Sequence, residues 1–381
     1  VAEQELISDL AGAQAVSEEW DALAVRASKP VVSPWWVLPW WRHVAPDLQA
    51  RIVAVRSGGT LIGLAPFYVA GARMGVAEYR LMADDFGVCM EPLALPGREW
   101  DVAAAIACAL HGADPPVGTI GFGPMALASG WTEALAQTWQ GRLRPLSRTL
   151  RLQTAPVIVL EQDSYEDWLA TLGSKLRRDL RRSERLFAEA GGSTRWSDTA
   201  TLPADAASFA RLHGSRWEGR GWSRLADLGP RLPDWLADVG EHLIEDRRLG
   251  LCVLEVAGEA VCVDLHLSAG SRVEGINVGW DEQWARIGPA KLALLRVVQQ
   301  AFATGRSRIG LGTGGLANKL RISSGEEPVA WSALVPPSRR YLQGYATILP
   351  GLARMHARES LTRALPPPWL ARLQSLRGGG S

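Results

Sequence analysis

At 381 residues the chain exceeds what one hydrophobic core usually serves, so two domains are the default expectation. Hydrophobic residues at 47% and charged residues at 21% are globular proportions. With 41 Lys+Arg against 40 Asp+Glu the net charge is +1, which excludes a global electrostatic case for nucleic acid or anionic membrane as partner.

The cysteines Cys89, Cys108, Cys252 and Cys262 form neither Cys-x-x-Cys pairs nor a secreted framework, and are expected to be reduced, buried and cytoplasmic. No apolar run reaches the roughly 20 residues of a membrane span, so no span is expected. The start shows no signal h-region, and residues 378–381, Gly-Gly-Gly-Ser, read as a flexible tail.

From the N-terminus, the first strong signal is tryptophan. Trp35, Trp36, Trp40 and Trp41 stack on one and a half helical turns. The plain reading is a helix docked on the first half's sheet; a substrate-stacking platform is the sharper alternative. Residues 51–57 alternate apolar with polar, Gly58-Gly59 follows, and 60–70 complete a β-hairpin. The pattern returns about 200 residues later, where 251–263 repeats 52–64 strand on strand and turn on turn. In both halves a further strand, an Ala/Leu-rich helix (101–110; 289–304) and another strand (119–122; 308–312) come next. The chain therefore reads as an internal duplication. The divide is expected at 145–162, where strand-like 149–152 and 157–160 flank Thr154-Ala155-Pro156. This gives domains at 1–150 and 151–340, then a helical extension and tail over 341–381.

After the divide, Ser174 is placed to cap a helix over 175–190, stopped by Gly191-Gly192. Leu176, Leu180 and Phe187 mark its buried stripe. Arg177, Arg181 and Arg185 form a row with Arg178 and Arg182 beside it. On the plain reading this basic ridge is solvated and partly neutralised by Asp179 and Glu184; on the sharper one it suits a phosphate backbone. Residues 219–233 are expected to line the acceptor pocket or to move over it.

Three strands, 251–257, 260–268 and 272–280, make an antiparallel meander. In the middle one Val261, Val263, Leu265 and Leu267 share the core face, and Cys262, Asp264, His266 and Ser268 share the other. That second face is either solvent-facing or holds Asp264 and His266 as a proton acceptor and its orienting partner. Residues 281–286 then loop into Ile287-Gly288-Pro289-Ala290-Lys291 and a long apolar helix. Proline suits the first helical position, and glycine lets backbone approach a ligand. Free N–H groups, the helix dipole, Arg286 and Lys291 together make a pyrophosphate cradle, against the plainer reading of a turn and cap. Gly-Leu-Gly-Thr-Gly-Gly at 310–315 fits neither a P-loop nor a dinucleotide fingerprint. Lys319 and Arg321 beyond it either hold an anion or solvate a loop. The histidines are scattered and no metalloprotease or serine-hydrolase motif occurs, so metal chemistry is unsupported.

Taken together these residues resemble a known group: the acetyltransferase domain of bacterial CelD-like, cellulose-biosynthesis-associated GNAT proteins, related to the Fem-type peptidyltransferases. The resemblance is carried by 174–185 before its Gly-Gly stop, Gly279-Trp280-Asp281 closing a strand, 287–291 opening the long helix, and Asn318-Lys319. In the first half it is carried by Trp20-Asp21, 33–41 and Gly63-Leu64-Ala65-Pro66-Phe67-Tyr68. It implies an α/β fold, in detail an α+β mixed sheet, built as tandem duplicated GNAT-like domains. Central parallel strands would splay to admit the pantetheine arm of an acyl-CoA, acetyl-CoA first. The donor would meet Arg286, Ile287, Gly288, Pro289, Ala290 and Lys291, with Asn277 and Gly279 on the adjoining strand.

Lys319 matches the position that stabilises charge in Fem-type relatives, and Asp264 and His266 complete the catalytic set. Trp280, Trp222, Arg178, Arg182 and Asn318 would meet the acceptor, a small or sugar-like amine, with no metal. The usual phosphate signature, Arg/Gln-x-x-Gly-x-Gly/Ala, is one residue short here, as Arg286-Ile287-Gly288-Pro289-Ala290. The first half has no Gly-Pro helix start and is expected to shape the acceptor side. Two alternatives stand beside N-acyl transfer: a Fem-type transferase using aminoacyl-tRNA, and a non-catalytic binding module on the same scaffold.

Overall fold

The computed structural model describes residues 2–218, 223–313 and 317–364, without side chains at 317, 318 and 358–364. Its strands are β1 (Glu3–Ile7), β2 (Gln49–Ser57), β3 (Thr60–Arg73), β4 (Val76–Leu81), β5 (Leu93–Ala94), β6 (Val117–Ala126), β7 (Leu146–Val159), β8 (Gly192–Trp196), β9 (Leu249–Val256), β10 (Glu259–Ala269), β11 (Arg272–Trp280), β12 (Arg308–Gly310) and β13 (Gly325–Val335). Its α-helices are α1 (Leu10–Ala15), α2 (Ser17–Arg26), α3 (Pro34–Val44), α4 (Glu99–His111), α5 (Trp131–Thr138), α6 (Tyr165–Thr171), α7 (Ser174–Glu189), α8 (Leu202–Trp217), α9 (Arg224–Asp227), α10 (Arg231–Leu243), α11 (Pro289–Ala303), α12 (Ala317–Leu320) and α13 (Tyr341–Ala364).

Two compact units emerge. The first comprises the chain up to Thr154 and again from Glu327; the second is Ala155–Glu326. In the first, the strands lie in the order β1-β2-β3-β4-β6-β13, with β5 on β3. Neighbours are antiparallel except β4 and β6, which run parallel and are joined through α4. In the second, β8-β9-β10-β11-β12 and the end of β7 repeat this order, with β11 and β12 parallel and joined through α11. The duplication read from the hairpin and the strand-helix-strand order after it extends to the whole strand order, in mixed sheets with helical crossovers. The closing strands come from unexpected places. β13 returns from the far end of the chain to the first unit, while β7 precedes the unit its last residues complete.

Local chemistry explains these elements. The β2–β3 turn places Gly58 and Gly59 at φ 56° and 82°, and the β9–β10 turn places Ala257 and Gly258 at 53° and 80°. Both are the left-handed pairs that let two-residue hairpins follow strand twist. Thr154-Ala155-Pro156 does not break β7, which is one strand. A proline is tolerated where the ladder needs no donor, and the Pro156 carbonyl still accepts from the Leu311 N–H at 3.0 Å. Ser174 is the first helical residue of α7 rather than its cap; Gly173 holds the cap position, with no side-chain bond. In α3, Trp35, Trp36, Trp40 and Trp41 are all buried. Trp36 meets Phe86 edge-on at 5.9 Å, and Trp40 meets Tyr68 at 5.5 Å. This cluster is core and not a stacking platform.

In the second unit α7 and α11 pack on one face of the sheet, through Leu176, Leu180, Phe187, Leu292 and Val298. Helix α8 covers the other face, lying against β10 and β11, with α10 packed against α8 and β9. The face of β10 that carries Cys262, Asp264, His266 and Ser268 is therefore not solvent-facing. Cys252 and Cys262 belong to the α7/α11 core, whereas Cys89 and Cys108 are only half-buried. Among the described residues, no helix is long and apolar enough to cross a membrane.

Candidate active site

The parallel pair at the centre of the second unit is short. Arg272, Val273 and Glu274 pair with Arg308, Ile309 and Gly310, after which β12 ends while β11 continues to Trp280. At the parting point β11 is irregular: His266 opposes Gly275 and Leu265 opposes Asn277, leaving Ile276 as an extra residue. Such a bulge bends a strand away from its neighbour. A wedge results, with backbone edge on the β11 side. Gly312 turns at φ 73° beside it, and a β-carbon there would lie 3.7 Å from the Gly275 carbonyl and 3.9 Å from Lys319 Nζ.

Lys319, in α12, donates from Nζ to the Leu311 carbonyl at 2.6 Å. Burial, and then the charge of Arg216, hold this ammonium below the ordinary lysine range, with Asp264 and Glu274 acting the other way. Arg216, in the last turn of α8, donates from Nη1 to the Val278 carbonyl on the β11 edge at 3.3 Å. Its guanidinium lies 5.7 Å from the centre of the Trp280 ring. Glu274 is buried at the apex, accepting from Arg272 Nε at 2.9 Å. Arg216 and Glu274 were missed in the sequence. Glu274 has a retrospective signal, a carboxylate paired with a glycine of the neighbouring strand; Arg216 has none, because only packing brings α8 to β11.

Beyond β11 the chain makes a one-turn 3₁₀ helix (Glu282–Trp284) capped by Asp281, whose carboxylate accepts from Gln283 N at 3.0 Å. Arg286 follows, exposed, then buried Ile287. Gly288 stands at φ 69°, ψ 59° as N-cap of α11, and Pro289 takes the first helical position. Lys291 folds back so that a β-carbon on Gly288 would lie 2.5 Å from its Cε and 3.1 Å from Nζ. An ammonium thus sits at the positive end of the helix. Gly288, Ala290 and Lys291 are half-exposed, so this helix start is not sealed against protein.

On β10, Asp264 Oδ1 is 3.6 Å from His266 Nδ1, too long for a hydrogen bond. His266 is buried with its ring over Gly250 and edge-on to Trp196 at 5.4 Å. Asp264, more open, is the member of the pair whose charge reaches Lys319.

The other expected contacts scatter. Gly279 faces α8, where a β-carbon would lie 2.7 Å from the His213 nitrogen, so its lack of a side chain lets the helix pack close. Asn277 accepts from the N–H of Val278 through Oδ1 at 3.0 Å. Trp222 and the side chain of Asn318 lie outside the described residues. Arg178 and Arg182 stand exposed on α7. The acids expected to neutralise that ridge are engaged elsewhere, Asp179 with Arg321 at 3.2 Å and Glu184 with Arg296 at 3.3 Å. Of the 219–233 segment, Ser223 binds His213 Nε2 at 2.8 Å.

The matching junction of the first unit is filled. β4 and β6 pair over Ala77–Arg80 and Val117–Gly121, and β4 ends at once. Met82, Ala83 and Asp84 are buried, and a β-carbon on Gly123 would lie 2.9 Å from the Asp84 carbonyl. Met90 N–H then bonds the Pro124 carbonyl at 3.2 Å. Chain occupies the space that in the second unit lies beside a strand edge unpaired among the described residues.

Residues 174–319 match the family model described as an acetyltransferase (GNAT) domain. No curated protein matches the chain. FemX is similar in structure, with a TM-score of 0.60 at 11% identity, covering 90% of this chain and 99% of that one. The C-terminal domain (DUF2156) of a putative lysylphosphatidylglycerol synthetase from Agrobacterium fabrum has a TM-score of 0.55 at 13% identity, over 88% and 97%. A conserved protein of unknown function from Bacteroides thetaiotaomicron has a TM-score of 0.56 at 12% identity, over 87% and 100%. At these identities the likeness is one of fold. The protein has the GNAT acetyltransferase fold in a duplicated arrangement.

Proposed function

We propose that the protein is an N-acyltransferase that moves an acyl group, acetyl first, from acyl-CoA to the amine of a small or sugar-like acceptor. The observation that carries this reading is the short parallel pairing of β11 with β12, after which the β11 edge from Gly275 to Trp280 has no strand partner among the described residues, with Lys319 nearby. An extended pantetheine arm has the shape and the amide groups to add to such an edge. The donor's phosphates suit the start of α11, where Gly288, the backbone N–H of Ala290, Lys291 and Arg286 offer positive potential. The shortened phosphate signature is compatible with this, because the left-handed Gly288 and the folded-back Lys291 supply glycine and cation within one turn.

In this mechanism the acceptor amine attacks the thioester carbonyl directly, forming the new C–N bond and a tetrahedral intermediate whose collapse breaks the C–S bond and expels the thiolate. Lys319 steadies the tetrahedral oxyanion. Asp264 receives the amine proton through water, with His266, packed against Trp196 and Gly250, beside it. Calorimetric and thermal-shift titration with acetyl-CoA and CoA tests the donor: a ligand at 100 times its Kd stabilises the fold by about 2.7 kcal/mol. Absence of any shift with either compound would remove acyl-CoA and favour a binding module on this scaffold.

A second reading, an aminoacyl-tRNA-dependent Fem-type transferase, draws on the α7 ridge, whose Asp179 and Glu184 pair with Arg321 and Arg296 while Glu189 stands 3.6 Å from Arg185. The fold likeness to FemX is compatible with it. Filter binding of bulk tRNA across a salt series decides: affinity should fall steeply with salt, and Arg178→Glu with Arg182→Glu should flatten that slope. A weak signal indifferent to salt ends this reading.

A further inference from the structure

One face of α7 carries charge that the acyl-donor reading leaves unused. The buried stripe of this helix, Leu176, Leu180 and Phe187, packs into the core and fixes how the helix is turned. Lys175, Arg178, Arg181, Arg182 and Arg185 stand exposed on the other side. At about 100° and 1.5 Å per residue they share an arc of about 120° and cover about 15 Å of helix axis. Among the described residues the first four make no ion pair, and Arg185 meets Glu189 at 3.6 Å. Asp179 and Glu184 reach off this face to Arg321 and Arg296. A chain whose net charge is only +1 thus concentrates a row of cations on one helix face, with Glu189 as the acid beside it.

Two observations select the kind of anionic partner. The remaining exposed residues of α7 are Ser174, Ala188 and Glu189, so the helix offers no aromatic ring on which a base could stack. At its flank, Arg321 bonds Asp179 at 3.2 Å and draws the end of α12 alongside α7, where Leu320 is 38% exposed. Cations in a row with an apolar side chain beside them match a lipid surface, whose phosphates attract the charge and whose acyl boundary takes the leucine. A helix face is convex, so the row meets a plane along its whole length.

We propose that the outer face of α7, together with Leu320, seats the second unit on an anionic membrane surface. The docking is peripheral: the cations lie over headgroup phosphates and Leu320 enters the boundary beneath them. It does not rest on the acyltransferase reading, because the β11 edge and the α11 start take no part in it. It does claim the cations that aminoacyl-tRNA would need, so lipid and tRNA are rival occupants of one face.

Co-sedimentation of the full chain with vesicles tests this. Vesicles of phosphatidylcholine are compared with vesicles that also contain phosphatidylglycerol, at about 0.1 M and about 0.5 M salt. The anionic vesicles should bind at least about tenfold more tightly at the lower salt, and the preference should vanish at the higher. Arg181→Glu with Arg185→Glu should remove it, and Leu320→Ser should weaken binding to anionic vesicles about fivefold. Circular dichroism and Tm establish that each variant is folded, and Arg181→Gln with Arg185→Gln carries the test should the charge reversal unfold. In a mixture of anionic vesicles and bulk tRNA at equal phosphate, the protein should pellet with the vesicles. Equal binding to the two kinds of vesicle, a preference that survives the arginine substitutions, or an affinity unmoved by Leu320→Ser overturns the proposal, as does partition into the tRNA fraction. Acetyl-CoA titration does not involve α7, so failed docking and a failed donor reading give different results.

Discussion

The carboxylate of Glu274 lies directly over the α-carbon of Gly310, so that a β-carbon there would fall 2.5 Å from Oε2. The first unit repeats the contact more loosely, with Glu78 Oε1 at 3.2 Å from the same point on Gly121. Both contacts occur where the parallel strands pair, so the duplication extends to how each central pair packs.

Gly310→Ala should therefore expel the buried Glu274 carboxylate and break its bond from Arg272. A loss of about 2–3 kcal/mol in urea unfolding is expected, the scale of a disrupted buried polar pair. Adding Glu274→Ala should recover part of the loss, because the two positions compete for one space. Strict additivity would show that Gly310 matters for another reason.

Lys319→Ala should lower kcat by about 10²–10³, the range for removing one oxyanion donor, with acetyl-CoA affinity within about threefold of wild type. Since burial and Arg216 hold this ammonium below the ordinary lysine range, the alkaline limb of the kcat profile should fall early. An unchanged kcat removes Lys319 from the chemistry.

Burial pushes the Asp84 carboxyl up to about 6, although Arg80 at 2.9 Å pulls it down. An unfolded aspartate titrates near about 4, so between these values the folded protein holds the extra proton. The stabilising contribution is present below about pH 4 and is lost as pH rises to about 6, a difference on the order of 3 kcal/mol. Asp84→Asn should remove this component, seen as a smaller drop in urea midpoint between pH 4 and 7 than in wild type.

His213 has the opposite sign. Burial first, and then the charge of Arg216, push its imidazole down to about 4, and it pairs neutral with Ser223 at 2.8 Å. The unfolded histidine takes up a proton below about 6.5, so this contribution is full above that pH and lost as pH falls towards 4. His213→Gln should flatten the acid-side loss by a few kcal/mol at most. A steeper loss in the variant would mean that the ring is not the titrating group.

Much of the second unit was legible in the chain. The meander strands were read at 251–257, 260–268 and 272–280 and stand at Leu249–Val256, Glu259–Ala269 and Arg272–Trp280. The helix read from Pro289 to 304 ends at Ala303, its start fixed by Gly288 and Pro289. Such features are local: period-two alternation, a left-handed turn pair and a proline at the first helical position act over a few residues.

What a residue faces was less legible. The alternation on β10 sets a core face against a polar face that is either solvent-facing or chemical, and the helices cover both, with Cys262 and His266 buried. Alternation reports that the two faces differ, not that one meets water. Asp179 and Glu184 sit on the ridge helix as expected but reach to Arg321 and Arg296, residues more than a hundred positions away.

By itself the sequence determined the strands, turns, helix starts and the fact of duplication, because these depend on backbone preferences and patterns within short windows. Only the tertiary structure decided that β13 closes the first unit, that chain fills the first junction while the second parts after three residue pairs, and that Lys319 reaches back to the Leu311 carbonyl. Those facts depend on which distant segments pack together, and the burial energy that selects such pairings is nondirectional and leaves no periodic mark along the chain.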